Sequence, residues 1–248
     1  MNNTKARSTR PLKIFLQHQI IVKDGLLDAI IIGELFYWIA KQESPWRNAG
    51  DYSAWLMTNP DTILSKFKSI CETNQYLRRD RTRMKNGYLG AYKFNANKTQ
   101  DSKTLKEIYS SILNNSNINI DYGEFNPDEP SYKEIPESQL IVLDTIDLVG
   151  CYKQAYILDR ISWALVSRCA DNLYFRSKQH FDDWCGLGTK TGQRLLAKLT
   201  AKGFAFGKSA NNQFVVYADK DTSSYQFFSE YMCDKQQTRK ASISEMFD

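Results

Sequence analysis

The apolar residues of this chain recur with helical spacing in two segments that start 126 positions apart. Residues 29–39 read AIIIGELFYWI, and residues 155–165 read AYILDRISWAL. The same positions are apolar in both, which pairs Ala29 with Ala155, Ile31 with Ile157, Ile32 with Leu158, Leu35 with Ile161, Tyr37 with Trp163 and Ile39 with Leu165. Each segment is predicted to form a buried helix, and the two helices to open two copies of one unit.

The residues that follow each buried helix also recur. In the first copy the pattern predicts a short aromatic strand over residues 55–57, followed by a helix that Thr58 caps and that has Pro60 in its first turn. A third helix is predicted over residues 73–86, where Gly87 stands as its stop. The hairpin predicted after it, over residues 88–98, is less regular, and a further helix is predicted over residues 105–113.

The second copy repeats this order more clearly. It predicts a strand over residues 173–175, a helix capped by Ser177, and a third helix over residues 189–202 that Gly203 ends. A β-hairpin follows, with strands over residues 204–206 and 213–217 and a turn through residues 209–212. Helix, strand, helix, turn, helix and hairpin is the order of a winged-helix domain. The chain is therefore predicted to be mostly α with small β-hairpins, in the α+β class, with two winged helix-turn-helix modules in tandem.

Composition shifts suggest where the modules begin and end. We predict a basic N-terminal arm at 1–13, a first module at 14–113, an acidic linker at 114–138, a second module at 139–220 and a C-terminal tail at 221–248. The arm has four cations, which either follow the minor groove of DNA or belong to a solvated tail. In the tail, residues 225–232 are aromatic enough to dock as a helix or strand.

Charge and cysteine content narrow the class of protein. The chain has 33 basic and 28 acidic residues, a net charge of +5, and an isoelectric point near 8.8. Residues 121–137 have six acidic residues and one lysine, so the positive surplus lies in the predicted modules. Five scattered cysteines and two histidines predict reduced thiols and neither a zinc site nor another cofactor. No apolar run reaches membrane-spanning length, and we expect a soluble cytoplasmic protein.

The two predicted third helices are the candidate DNA-binding elements. In the second copy the cations stand at intervals of four, which places them on one helix face, with polar residues at the exposed start. In the first copy, arginines crowd a short segment, and arginine pairs bidentately with guanine or phosphate. The residues singled out are Lys190, Arg194, Lys198, Lys202, Thr189, Thr191 and Gln193 in the second copy, and Asn74, Gln75, Arg78, Arg79, Arg81, Arg83 and Lys85 in the first. Lys208, Asn211 and Asn212 are predicted to occupy the tip of the second hairpin.

Two stretches carry a family resemblance. In the first copy they are FYWI, WLMT and NGYL within residues 29–90, and in the second YFRS and GLGTKTGQRLLAKL within residues 174–199. They resemble winged-helix DNA-binding proteins of phages, plasmids and other mobile elements, many of which are replication initiators or replisome organisers. The resemblance implies a sequence-specific protein of the bacterial cytosol and nucleoid that binds double-stranded DNA and recruits a helicase, a loader or a primase. It also implies that one of two such modules can form a homodimer.

Two alternatives stay open, and catalysis is not expected. A transcriptional regulator that works with RNA polymerase would use the same surfaces at a promoter, and winged helices also serve as protein-interaction modules. The segment 186–192 lacks the spacing of a phosphate-binding loop. Asp182 and Asp183 are explained by helix N-terminal charge rather than by a metal. His180 is interpreted as a packing residue, and no catalytic grouping is recognisable, so we expect no enzyme.

Overall fold

The computed structural model describes residues 13–17, 21, 25–40, 49–73, 77–80, 91–94 and 138–244. These residues form eight helices and seven short strands, so the described part of the chain is mostly helical in the α+β class. In the first half the elements are β1 (Lys13–Gln17), α1 (Leu26–Ala40), α2 (Ala49–Leu56), α3 (Pro60–Thr73), β2 (Leu77–Asp80) and β3 (Ala91–Phe94). In the second half they are β4 (Ser138–Val142), α4 (Leu143–Val149), α5 (Tyr152–Ser167), β5 (Leu173–Phe175), α6 (Lys178–Cys185), α7 (Thr191–Ala201), β6 (Ala205–Ala210), β7 (Gln213–Ala218) and α8 (Ser223–Ser244).

The two apolar segments form α1 and α5, which confirms the predicted buried helices. Ile30 and Ile31 on α1 and Ile157 and Leu158 on α5 are fully buried, and they belong to one hydrophobic core that runs through both halves. The C-terminal helix α8 packs on α5 through the buried Phe228. None of the helices that the structure describes is long and apolar enough to cross a bilayer.

The second half follows the predicted order of elements. Ser177 caps α6, its Oγ accepting a hydrogen bond of 3.1 Å from the His180 backbone N–H. Gly203 follows the C-cap residue of α7 and has φ of +80°, so it stops the helix as predicted. Asn211 and Asn212 both have positive φ, which is typical of the two-residue turn of a tight hairpin between β6 and β7. The third helix is shorter than predicted, because it begins at Thr191 rather than at residue 189.

The predicted strand over residues 55–57 is wrong. Trp55 and Leu56 are the last residues of α2, and α3 begins at Pro60 with Asn59 rather than Thr58 as its cap, since Asn59 Oδ1 accepts from the Asp61 N–H at 2.8 Å. The physical reason is packing. Tyr52 stands three residues before Trp55, so both rings face the core only on a helix, where their centroids are 5.2 Å apart.

The predicted third helix over residues 73–86 is also wrong. The helix α3 ends at Thr73, and residues 77–80 form β2, which pairs antiparallel with β3 and sets Arg78 opposite Lys93 and Arg79 opposite Tyr92. The physical reason is strand pairing, because residues 77–80 form their backbone ladder with residues 91–94 instead of a helix within the segment. Residues 81–90 lie outside the described residues, as do residues 95–137, which hold the helix predicted at 105–113.

The two halves are joined by equivalent strands. Strands β1 and β4 pair antiparallel with Phe15 opposite Leu140, which lies 125 positions later in the chain. The other residue pairs of the two strands are arranged symmetrically about this central pair. Lys13, assigned above to the arm, and Ser138, assigned to the linker, are the first residues of these strands.

A glycine turn repeats at the same spacing. Gly25 and Gly150 both have positive φ, and their N–H groups donate to the carbonyls of Ile21 at 3.0 Å and Ile146 at 2.7 Å. The repeat therefore extends N-terminal to the two buried helices, into strands that the sequence pattern did not predict.

Candidate nucleic-acid interface

The helix α7 has one face in the core and the other in solvent. Leu195, Leu196 and Leu199 are buried, as the sequence pattern predicted. The helix packs closely on α6 because Gly192 has no side chain: a Cβ there would lie 2.9 Å from Asp182 Oδ1 and 3.0 Å from the sulfur of Cys185. The opposite face of α7, with Arg194, Ala197 and Lys198, is exposed.

Asp182 holds the start of α7 in place. Its buried carboxylate accepts hydrogen bonds of 3.0 Å from the backbone N–H groups of Lys190 and Gln193. The sequence interpretation assigned this charge to the N-terminus of its own helix. That is wrong, since Asp182 is the fifth residue of α6 and caps the next helix. Its neighbour Asp183 is exposed and accepts from the Gln179 side chain at 2.8 Å. The negative carboxylate therefore already occupies the positive end of α7.

Three residues predicted at the exposed start of the third helix differ in their surroundings. Thr189 is exposed in the turn before α7, and Thr191 is the half-buried first residue of the helix. The Gln193 side-chain amide donates to the Asp182 carboxylate and, at 3.3 Å, to the Lys178 carbonyl. Gln193 is thus part of the contact between α6 and α7.

All four residues of the predicted basic stripe are exposed, but the charged groups of only three have no partner among the described residues. Lys190, Arg194 and Lys198 are exposed, and their charged groups form no hydrogen bond or ion pair with any described residue. Lys202 differs, because its Nζ donates to the Val149 carbonyl at 2.5 Å, at the C-terminal end of α4. Residues 176–212 contain seven basic and two acidic residues, and one of those acids is the buried Asp182. This surface is therefore suited to a polyanion.

The hairpin after α7 presents its residues differently from the prediction. Asn211 and Asn212 form the exposed tip, as expected. Lys208 lies in the middle of β6 instead, with its Nζ 5.8 Å from the centre of the Tyr217 ring. The placement of Lys208 at the tip is wrong, because the turn takes only two residues and β6 extends to Ala210.

Among the described residues of the first half, no helix repeats this basic surface. Arg78 and Arg79 lie on β2, and Asn74, Gln75, Arg81, Arg83 and Lys85 lie outside the described residues. The element at the position of α7 is α3, which buries Ile63 and Phe67 and exposes Asp61, Thr62, Ser65, Lys68, Ser69 and Glu72. Its other lysine, Lys66, forms an ion pair of 2.5 Å with Asp28. The sequence pattern predicted this helix, with Pro60 in its first turn, but placed it second in the unit rather than at the position of α7.

The buried polar groups of the second half serve packing. Asp159 accepts hydrogen bonds from the Val142 N–H at 2.9 Å and the Ser224 hydroxyl at 2.8 Å, and burial raises its pKa to about 7. Arg160 is buried against the Trp184 ring, 4.2 Å from its centre, and donates to the Trp184 carbonyl at 2.5 Å. His180 packs against Phe175, and burial lowers its pKa.

No metal-binding cluster is found in the described part of the chain, where three or more His, Cys, Asp or Glu side chains never converge. Among the residues predicted to form a site, exposed cations are gathered along the outer face of α7. The chain matches no protein-family model, no curated protein and no solved structure.

Proposed function

We propose that this chain is a sequence-specific double-stranded DNA-binding protein with two winged-helix modules in tandem. The observation that carries the proposal is the outer side of α7 and of the residue before it, where Lys190, Arg194 and Lys198 are exposed and have no partner among the described residues, while the opposite face of the helix packs into the core. A rigid helix with free cations on one face is suited to the major groove, where side chains reach base edges and phosphates.

The order of elements supports the winged-helix interpretation. In the second half, α5, α6 and α7 are followed by the β6–β7 hairpin, and in the first half α1, α2 and α3 are followed by the pair β2–β3. The last two helices, α2 and α3 in the first half and α6 and α7 in the second, are joined by a short turn, which is the arrangement of a helix-turn-helix. The paired strands β1 and β4 and the glycine turns support a duplication of the whole unit.

The residues of the second module have distinct proposed roles. Arg194 reads bases, because its planar guanidinium can pair bidentately with guanine, while Lys190 and Lys198 bind phosphates as point charges. Thr189 and Thr191 lie where the start of the helix meets the duplex, and Asn211 and Asn212 at the hairpin tip reach the neighbouring backbone. In the first module, Arg78 and Arg79 on β2 contribute backbone contacts. The lack of a basic surplus on α3 favours a smaller part in sequence reading for that module.

The resemblance to phage and plasmid proteins favours a replication initiator or replisome organiser over a transcriptional regulator. Such a protein binds origin DNA without catalysis of its own and recruits a helicase, a loader or a primase in the bacterial cytosol. The unequal halves support this role, since a module that reads DNA less can contact another protein or a second copy.

The proposal is tested by removing charge from α7. The double variant Arg194→Ala with Lys198→Ala is expected to bind a duplex, selected by the wild-type protein from a randomised library, about 30-fold or more weakly, since each contact contributes about 1–3 kcal/mol. Both side chains are exposed, so the melting temperature should hardly change. The readout is fluorescence anisotropy at fixed salt.

A matched control removes two exposed cations elsewhere, by Lys153→Ala with Lys220→Ala. This variant loses the same charge and should keep its affinity within about threefold, because surface charges distant from the contact act weakly. Equal affinity of the α7 variant and this control would exclude α7 from the interface.

A further inference from the structure

The three-stranded sheet of the second half has an outer face turned away from α7. A Cβ on Gly207 would lie 2.7 Å from a side-chain carbon of Leu196, so this position of β6 faces α7. Side chains alternate along a strand, and Phe206 and Lys208 therefore face the other way. Pairing across the sheet adds Tyr217 opposite Phe206, Val215 opposite Lys208, and Tyr174 opposite Val215; of these, Val215 is buried. These residues, together with Gln213, make up what we call the outer sheet face.

Aromatic rings make up much of this face. Phe206 and Tyr217 stack with centroids 5.1 Å apart and an angle of 22° between their planes, and both are half-buried. Tyr174 is 37% exposed and is one of three large hydrophobic side chains that are exposed in the described part of the chain. Such rings on a solvent-facing sheet are a platform on which further flat rings can stack.

The charges on and beside the outer sheet face are positive. Lys208 is exposed beside the Tyr217 ring, and Arg176 is exposed immediately after β5, at the level of Gln213. The strands β5, β6 and β7 contain no Asp or Glu. The nearest acids along the chain, Asp171 and Asp219, flank the end of the sheet that holds the Phe206–Tyr217 pair, away from Arg176, and Asp171 is paired there with Lys220. A ligand with flat rings and negative charge complements this surface.

We propose that the outer sheet face binds single-stranded nucleic acid. Its bases stack on Tyr174 and on the Phe206–Tyr217 pair, and its phosphates bind Lys208 and Arg176. A duplex does not suit this surface, because its base faces are already covered by their neighbours, whereas an unpaired strand exposes them. The face is separate from the basic surface of α7, so this site goes beyond the proposed duplex contact. If both are correct, one module holds a duplex and an unpaired strand on opposite sides.

The test uses a fluorescein-labelled 20-residue oligothymidine and anisotropy with the full chain. Tyr174→Ala is expected to weaken its affinity about tenfold, the typical loss of one stacking contact. Lys208→Ala should weaken it and lower the slope of log affinity against log salt by about 0.7, the loss of one phosphate contact on a single strand. Both variants should melt like the wild type and bind the selected duplex equally well. Leu148→Ala, at a 41% exposed apolar residue on α4, and Lys153→Ala are the matched controls and should bind the oligomer as the wild type does.

Three results would overturn this site: no binding of the oligomer by the wild type, unchanged binding by both variants, or a wild-type dimer in solution that Tyr174→Ala makes monomeric. The last result would assign the face to a second copy of the chain. Loss of duplex binding in the α7 variant with oligomer binding intact separates the two surfaces. A protein that binds the oligomer through this face but never binds a duplex contradicts the proposed function alone.

Discussion

Replacing Asp182 by alanine is expected to lower the free energy of unfolding by about 2–4 kcal/mol, measured by urea denaturation. The substitution leaves the N–H groups of Lys190 and Gln193 without their acceptor and opens a gap beside Gly192. Loss of a helix cap costs about 1 kcal/mol, and each buried donor left unsatisfied about 1–3 kcal/mol, partly offset by water entry. The effect is large because this one carboxylate, on α6, accepts both of these hydrogen bonds from the start of α7.

The neighbouring residue gives the control for this prediction. Asp183→Ala removes the same charge from an exposed position whose carboxylate bonds only to a side chain on its own helix, so its cost should stay near 0.5 kcal/mol. Equal destabilisation by the two variants would mean that Asp182 acts through charge alone. The assignment of its carboxylate as the cap of α7 would then be wrong.

Stability is expected to fall as the pH rises from about 4 to about 7, and Asp159 is the expected cause. Burial raises the pKa of this carboxyl from 3.8 to about 7, so over that range the folded chain holds a proton that the unfolded chain has lost. A state that binds more protons is favoured by acid, and the advantage disappears once both states are ionised above pH 7. The size of the loss is on the order of 4 kcal/mol, since each unit of pKa difference corresponds to about 1.4 kcal/mol.

Asp159→Asn isolates this contribution. Asparagine is neutral at every pH, and the Ser224 hydroxyl that donates to Asp159 can turn to accept from it. Urea denaturation at pH 5 and pH 8 should therefore show a smaller loss of stability in the variant than in the wild type, and the variant should be the more stable protein at pH 8. The same pH dependence in both proteins would show that Asp159 does not titrate in this range.

The sequence predicted the second half better than the first for reasons that individual residues explain. Ser177, Gly203 and the pair Asn211–Asn212 are local signals, each acting within a few residues, and the structure confirms their roles. In the first half, the segment around Trp55 is too short for its period to separate a strand from the end of a helix. Because this segment was predicted as a strand, the helix that follows it was taken as the second helix of the unit rather than the third. The basic strand β2 was then predicted as the third helix.

The sequence pattern could not predict which strands pair over long distances in the chain. Strands β1 and β4 are five residues each and pair across more than a hundred positions, so neither has a local signal that distinguishes it from a loop. The same holds for β2 and β3, where cross-strand pairing decides against the helix that the arginine-rich segment suggested. The repeat itself was readable, but beyond the two buried helices the predicted equivalent elements of the first half differ from those in the structure.

The sequence predicted the charged residues of the candidate site but not the contacts that hold the neighbouring side chains in place. The spacing of Arg194 and Lys198 was enough to place them on one exposed face of a helix, whereas Lys190, predicted inside that helix, precedes α7 with φ of +61°. That Gln193 and Lys202 bond inward depends on contacts with Asp182 and Val149, which are 11 and 53 positions away in the chain. Such contacts are set by how helices pack, and a pattern read along one helix does not contain them.

The central claim is that the basic face of α7 binds double-stranded DNA, and a salt titration of the wild-type protein tests it most directly. Anisotropy with the selected duplex, from about 50 to 300 mM salt, should show log affinity falling linearly with log salt, with a slope of about −2 or steeper if Lys190 and Lys198 each neutralise one phosphate. The Arg194→Ala, Lys198→Ala variant should reduce that slope by about 1, because it loses one phosphate contact and one base contact. No duplex binding at the lowest salt, or an affinity that does not change with salt, would contradict the claim.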